Sequence, residues 1–176
     1  MNTVASMAQA MQIGRDQTRT MACVLIVDDD LSVQLTLEFC LQDAGYSVVL
    51  AGDGPAALRV AAEKQIDLII LDVNMPQMNG ITVCKALKSN PALSHIPVVM
   101  MTSCPTRDIV SNAINAGALE VMPKPFELSQ LYTTVSRNLP GGEKPSAAPP
   151  PLESPRIQPG DFPPPTLHSG AVSFEN

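Results

Sequence analysis

The amino-acid sequence predicts an α/β fold with a doubly wound, five-stranded parallel sheet and helices on both of its faces. Short, unbroken apolar runs rich in Val, Ile and Leu are typical of strands that are buried on both faces. These runs alternate with segments of helical spacing, which indicates βαβ units and therefore a parallel sheet with right-handed connections. With 176 residues and a hydrophobic content of 45%, the chain is large enough for one ordinary domain.

Five apolar segments are predicted as strands, and the third is the most informative. Its run Leu68-Ile69-Ile70-Leu71 is followed directly by Asp72, and Pro76 prevents any continuation. A charged residue where a buried strand ends lies at the rim of the sheet, the place where ligands bind in open parallel sheets. In chain order the predicted strands cover residues 23–27, 46–50, 68–71, 97–101 and 119–122.

Helix-forming segments follow the strands and carry recognisable ends. Asp53-Gly54-Pro55 and Asn79-Gly80 favour helix starts, whereas Gly45 and Gly117 stand where helices end. In the first helix the apolar residues fall at 31, 35 and 39, with 37, 41 and 44 beside them, and this is helical spacing. The predicted helices cover about residues 31–44, 53–64, 79–89, 106–116 and 127–138.

Both ends of the chain differ in composition from its central part. Residues 1–20 are polar and rich in Met, Gln and Thr, so we expect a flexible leader, and Met21 could replace Met1 as the start of translation. Residues 140–176 hold 10 of the 17 prolines, and we expect a disordered tail that serves either as a linker or as a docking segment. The folded domain is therefore predicted to span residues 21–139.

Charge and composition argue against several functions. The net charge of −6 leaves no basic patch that could neutralise phosphates, so direct nucleic-acid binding is not expected. No apolar run approaches the roughly 20 residues that span a bilayer, and residues 1–12 lack the features of a signal peptide. We therefore expect a cytoplasmic protein without membrane insertion, in which the four cysteines are reduced thiols.

Polar side chains follow four of the predicted strands at their carboxyl ends. Asp28 and Asp29 follow the first strand, Asp72 the third, Thr102 the fourth and Lys124 the fifth. In a sheet ordered 2-1-3-4-5 the first and third strands are neighbours, so three carboxylates would converge and would need a cation. Oxygen ligands of this kind suit Mg²⁺, and the hydroxyl and the ammonium can bind an anion. A carboxylate nucleophile with these partners describes a phosphoryl-transfer site.

Four motifs make residues 23–138 resemble a response-regulator receiver domain of the CheY-like family of two-component systems. The motifs are Val-Asp-Asp-Asp at 27–30, Leu-Asp-Val-Asn-Met-Pro-Gln-Met-Asn-Gly at 71–80, Met-Thr-Ser at 101–103 and Lys-Pro-Phe at 124–126. The resemblance covers about two thirds of the chain. It implies the flavodoxin-like version of the doubly wound fold and a role in phosphorelay signalling.

The resemblance also implies roles for individual residues. Asp72 would accept a phosphoryl group from a sensor histidine kinase or a phosphotransfer protein, and Thr102 and Lys124 would bind the phosphoryl oxygens. The implied Mg²⁺ ligands are Asp28 (mainly through water), Asp29, Asp72 and the main-chain carbonyl of Asn74. The peptide bond between Lys124 and Pro125 would be cis, which is uncommon for X–Pro bonds in general.

One position departs from the family pattern. Three residues before Lys124 the family usually has an aromatic side chain that turns inward when the threonine moves, and this chain has Val121. The aromatic switch therefore cannot operate as usual, whereas the phosphorylation chemistry needs no group from this position.

Two functions are compatible with this resemblance. The first is a single-domain response regulator, not an enzyme, that is phosphorylated on Asp72 with Mg²⁺ and signals by binding an unknown downstream protein. The second is a receiver-like scaffold that acts without phosphorylation through its surface and its Pro-rich tail, but the complete set of site residues argues against it. A phosphatase with an aspartate nucleophile is a weaker alternative, because such enzymes of the haloacid-dehalogenase type need a second Asp where this chain has Asn74.

Overall fold

The computed structural model describes residues 21–139, which form a single parallel sheet flanked by helices. The predicted leader at residues 1–20 and the predicted tail at residues 140–176 lie outside the described residues. The choice between Met1 and Met21 as the start of translation is likewise not addressed by the structure.

The sheet contains five parallel strands in the spatial order β2-β1-β3-β4-β5, as predicted. Three of the strands begin and end one residue later than the sequence pattern suggests, and β3 includes Asp72 as its last residue. The strands are β1 (Cys23–Val27), β2 (Ser47–Ala51), β3 (Leu68–Asp72), β4 (Val98–Thr102) and β5 (Glu120–Pro123).

Five helices connect and follow the strands. They are α1 (Leu31–Asp43), α2 (Gly54–Glu63), α3 (Gly80–Ser89), α4 (Arg107–Asn115) and α5 (Leu128–Asn138). The side chains of Asp30, Asp53, Asn79 and Thr106 accept hydrogen bonds from main-chain N–H groups in the first turns of α1 to α4. Among the helices of residues 21–139, none has the length and apolar character needed to cross a membrane.

Two hydrophobic cores cover the two faces of the sheet. Because successive strand residues point to opposite faces, Leu25 and Val27 contact the core under α2, α3 and α4, whereas Val24 and Ile26 contact the core under α1 and α5. Every residue of β3 is buried, as expected for a strand covered on both sides. The prediction of a doubly wound sheet with helices on both faces is confirmed.

The most regular series of apolar residues in helix α1 is not the set that the helix buries. The side chains at 37, 40, 41 and 44 face the core. The series Leu31, Leu35 and Phe39, spaced four residues apart, lies on the outer side with exposed fractions of 63%, 51% and 73%. We call these three residues the α1 stripe. Their spacing correctly indicated a helix, but it does not mark the face that packs on the sheet.

Candidate functional site

The carboxyl ends of β1, β3, β4 and β5 lie along one edge of the sheet and bring the predicted site residues to it. Asp28 directly follows β1, Asp72 ends β3, Thr102 ends β4 and Lys124 directly follows β5. Strand β1 pairs with β3, so Asp28 and Asp72 come from neighbouring strands although 44 residues separate them in sequence. The strand order therefore assembles residues that are distant in sequence.

Lys124 connects the two buried carboxylates of this edge. Its Nζ atom lies 2.5 Å from Oδ2 of Asp28 and 2.7 Å from Oδ1 of Asp72. Both aspartates are almost fully buried, with exposed fractions of 1% and 4%. Burial alone would lower the pKa of Lys124, but its hydrogen bonds to Asp28 and Asp72 and their negative charges outweigh burial and raise that pKa above its usual value. The ammonium is therefore firmly protonated at neutral pH.

Main-chain amides hold the remaining oxygen atom of each carboxylate. Oδ1 of Asp28 accepts a hydrogen bond from the N–H of Asp30 at 3.0 Å, and Oδ2 of Asp72 accepts one from the N–H of Asn74 at 2.6 Å. One ammonium thus contacts two carboxylates, and these three side chains together carry a formal net charge of −1. The orientation of this cluster is fixed by the loops that follow β1 and β3.

Thr102 is fully buried beside this cluster. Its Oγ1 atom accepts hydrogen bonds from the N–H of Cys104 at 3.1 Å and, at 3.5 Å, from the side-chain amide of Asn74. The main-chain N–H of Lys124 donates to the carbonyl of Thr102 at 2.7 Å, which ties the ends of β4 and β5 together. The peptide bond between Lys124 and Pro125 is cis, as the resemblance implies. The hydroxyl and the ammonium therefore stand at adjacent strand ends.

Comparison with known proteins identifies the family to which this arrangement belongs. The sequence profile of the response regulator receiver domain matches residues 24–136. The chain belongs to this family. The predicted resemblance is thereby confirmed for the folded part of the chain.

Known relatives carry the same domain within proteins of different size. The chain is 38% identical to the transcriptional regulatory protein ZraR of Salmonella typhimurium, over 71% of this chain and 29% of that protein. It is 42% identical to the response regulator PleD of Caulobacter vibrioides, over 65% of this chain and 25% of that protein. A crystal structure of the chemotaxis protein CheY4 of Vibrio cholerae is covered completely, with 38% identity over 68% of this chain and a TM-score of 0.66. The chain therefore spans less than a third of the length of the first two relatives.

The carboxylates of Asp28, Asp29 and Asp72, which we call the acidic edge, fit a hard divalent cation. Asp28 and Asp72 supply carboxylates that one ammonium neutralises only in part, and Asp29 is exposed in the loop directly after Asp28. Within residues 21–139 no three acidic, His or Cys side chains are already grouped as metal ligands, and the ammonium of Lys124 contacts both Asp28 and Asp72. Oxygen donors and residual negative charge are nevertheless what Mg²⁺ requires, and receiver domains generally bind Mg²⁺ at this site.

The main chain of Gly80 packs closely against the main-chain carbonyl of Asp72, a contact that the sequence pattern does not predict. A Cβ atom at this position would lie 2.0 Å from the main-chain carbonyl oxygen of Asp72. The N–H of Gly80 also donates to the carbonyl of Val73 at 3.0 Å. The sequence Asn79-Gly80 by itself predicts only a helix start. The signal for a close approach was the glycine itself in the first turn, where a side chain is normally tolerated.

Proposed function

We propose that this protein is a single-domain response regulator whose Asp72 accepts a phosphoryl group with Mg²⁺. The observation that carries the proposal is the cluster in which one ammonium contacts the buried carboxylates of Asp28 and Asp72 beside the hydroxyl of Thr102. A carboxylate oxygen of Asp72 attacks the phosphorus of a phosphohistidine, and the bond between phosphorus and imidazole nitrogen breaks. The imidazole takes up a proton, and the product on this chain is an acyl phosphate.

Thr102 and Lys124 stabilise the transferred group in this proposal. The group brings additional negative charge into a site that already has a net charge of −1, so donors must turn toward it. Lys124 shifts from the free carboxylates toward a phosphoryl oxygen, and the hydroxyl of Thr102 donates to another. Both groups already stand at the ends of adjacent strands.

Asp28, Asp29, Asp72 and the main-chain carbonyl of Asn74 would hold the Mg²⁺. When bound, the ion supplies positive charge that offsets the phosphoryl oxygens and the carboxylates. The chain's own contribution is to fix the orientation of the carboxylates through the main-chain N–H groups of Asp30 and Asn74.

The phosphodonor, a sensor histidine kinase or a phosphotransfer protein, docks on the α1 stripe in this proposal. The stripe begins at Leu31, two residues after Asp29, and therefore borders the acidic edge. On the other side of α1 an apolar groove of about 550 Å³ opens next to Lys124, lined by Val33, Leu37, Pro125, Phe126 and Leu128 among others. Helix α1 carries acidic side chains but no basic one, so the docking face of the donor is expected to place Lys or Arg around an apolar centre.

Output then requires a further protein that binds the phosphorylated domain. The complete coverage of the CheY4 chain by residues of this chain supports a receiver domain that acts alone. We therefore propose a cytoplasmic signalling protein that binds partners and is not itself an enzyme beyond slow loss of its own phosphoryl group.

The test is phosphorylation of the full chain by a small acyl phosphate in the presence of Mg²⁺. We expect a labile phosphoryl adduct in the intact-protein mass spectrum that disappears in Asp72→Asn and persists in the matched variant Asp43→Asn, which changes an exposed aspartate at the last residue of α1, the end of the helix far from Asp28. Absence of an adduct on the unmodified chain would overturn the proposal and favour the phosphorylation-independent scaffold. Rapid turnover of unrelated phosphate esters would instead point to a hydrolase.

A further inference from the structure

A buried glutamine of α1 contacts the main chain of the loop that carries Asp28 and Asp29. Gln34, on α1, has an exposed fraction of 6% although its side chain ends in an amide. Its Nε2 atom donates to two main-chain carbonyls, that of Asp28 at 2.5 Å and that of Ala51 at 3.0 Å. These carbonyls belong to the residue after β1 and to the last residue of β2, so the side chain connects α1 with two strand ends.

The glutamine closes a ring of hydrogen bonds around the loop that carries the acidic residues. The N–H of Asp28 donates to the carbonyl of Ala51 at 3.2 Å, and the N–H of Gln34 donates to the carbonyl of Asp30 at 3.0 Å. The N–H of Asp30 in turn donates to the carboxylate of Asp28 at 3.0 Å. These bonds connect Asp28 and Asp30 with β2 and the first turn of α1, and Gln34 contributes the two bonds that its side chain makes from the helix.

Holding the carbonyl of Asp28 also constrains the residue that follows it. The peptide unit is planar, so the direction of the Asp28 carbonyl fixes the direction of the N–H of Asp29 and limits the rotation of the backbone at both residues. These two residues are the acidic pair of the proposed Mg²⁺ site. A purely space-filling side chain could occupy the volume of Gln34, but it could not hold this peptide unit.

We infer that Gln34 is a positioning residue that sets the affinity of the acidic edge for Mg²⁺. This inference rests on the proposed function, because it takes Asp28 and Asp29 as ligands of the ion. Groups that orient metal ligands from behind typically change metal affinity 10- to 100-fold when they are removed. Gln34 would act through the backbone carbonyl of Asp28 and would not touch the ion.

The experiment is calorimetric titration of the full chain with Mg²⁺ in the absence of any phosphodonor, so that binding is measured without activity. We expect Gln34→Met to bind Mg²⁺ at least about 10-fold more weakly than the unmodified chain. Gln34→Asn, which keeps the amide but is shorter by one methylene, should lose affinity as well. The matched control is Leu41→Ala, a fully buried residue of the same helix in the core under α1 and α5, and it should lower the thermal midpoint without changing Mg²⁺ affinity.

The outcomes separate this inference from the proposed function. If the unmodified chain does not bind Mg²⁺, the proposed metal site is refuted, and the positioning role of Gln34 is refuted as well. If the unmodified chain binds Mg²⁺ and folded Gln34→Met or Gln34→Asn binds it equally well, only the positioning role is overturned. Equal loss of affinity in Leu41→Ala would show a general effect of destabilisation and would also overturn it.

Discussion

Replacing Lys124 by Met should destabilise the domain in the absence of Mg²⁺, because it leaves Asp28 and Asp72 as neighbouring buried carboxylates. Removing one partner of a buried ion pair typically costs about 3–5 kcal/mol. The lysine side chain is 18% exposed, so we expect the lower end, about 3 kcal/mol. A domain of this size loses about 4 °C in thermal midpoint per kcal/mol, which gives a decrease of about 12 °C.

The direction in which the pKa of Lys124 is shifted determines the pH at which the stability should be measured. The pKa is raised in the folded protein above the ordinary value of 10.5, so the stabilisation by the ammonium is fully present below pH 10.5. It is lost only as the pH rises through the still higher folded value. An experiment near neutral pH therefore measures the whole contribution.

The assay is thermal and urea-induced unfolding of the unmodified chain and of Lys124→Met, each with and without Mg²⁺. Added Mg²⁺ should recover part of the lost stability in the variant, since a bound cation again separates the carboxylates. The matched control is Lys88→Met, because the Nζ of Lys88 donates to two main-chain carbonyls, those of Ser94 and Ile96, and its loss should not respond to Mg²⁺. An unchanged midpoint in Lys124→Met, or an equal Mg²⁺ response in both variants, would refute the reasoning.

Three further substitutions test other parts of the site. Gly80→Ala should lower the free energy of unfolding by about 1–3 kcal/mol and slow acyl-phosphate labelling, because the added Cβ would collide with the main-chain carbonyl of Asp72. The control is Gly52→Ala, whose added Cβ would lie 3.8 Å from its nearest neighbour, the side-chain nitrogen of Gln34. Equal effects of the two substitutions would contradict the predicted collision at Gly80. Phe39→Ser should slow phosphorylation by a histidine kinase. Because the Phe39 side chain is exposed, labelling by a small acyl phosphate and the thermal midpoint should stay unchanged. Equal rates of phosphorylation by the kinase in the variant and the unmodified chain would exclude the α1 stripe as the docking face. Val121→Tyr should leave labelling intact and change affinity for a downstream partner, measured by calorimetry, and an unchanged affinity would count against an output role at this position.

The strands could be predicted because burial on both faces leaves a clear sequence pattern, and their order was predicted from the doubly wound fold. The run Leu68-Ile69-Ile70-Leu71 contains no polar residue, and all four of its residues are buried in the sheet. The edge of the sheet was equally predictable, since Asp72, Thr102 and Lys124 stand directly where apolar runs end. Parallel strands bring such ends together, and no knowledge of individual contacts is needed for that step.

The orientation of α1 could not be predicted from spacing alone. Apolar residues occur on both sides of this helix, and periodicity fixes the repeat but not which side meets the sheet. Leu37 and Leu41 are buried, whereas Leu35 and Phe39 are exposed. Packing against β1 and the neighbouring α5 decides between the two faces, and that information lies in the tertiary structure.

Side chains that bond to main-chain carbonyls leave no sequence signal either. Gln34 and Lys88 are polar residues in helices and would normally be taken for solvent-exposed positions. Each instead donates two hydrogen bonds to carbonyls of other segments. Such acceptors exist at every residue of the chain, so only the three-dimensional arrangement shows which of them are used.

The contact between Lys124 and Asp28 has a consequence for how the protein matures. The two residues are 96 positions apart in sequence. They follow β1 and β5, and β3 and β4 lie between these two strands in the sheet. A polypeptide released from the ribosome before β5 has paired would possess the aspartates but not their ammonium. Closing such a long segment is slow compared with forming local helices. Under the proposed function, competence to receive a phosphoryl group would therefore arise only after β5 has paired with the rest of the sheet.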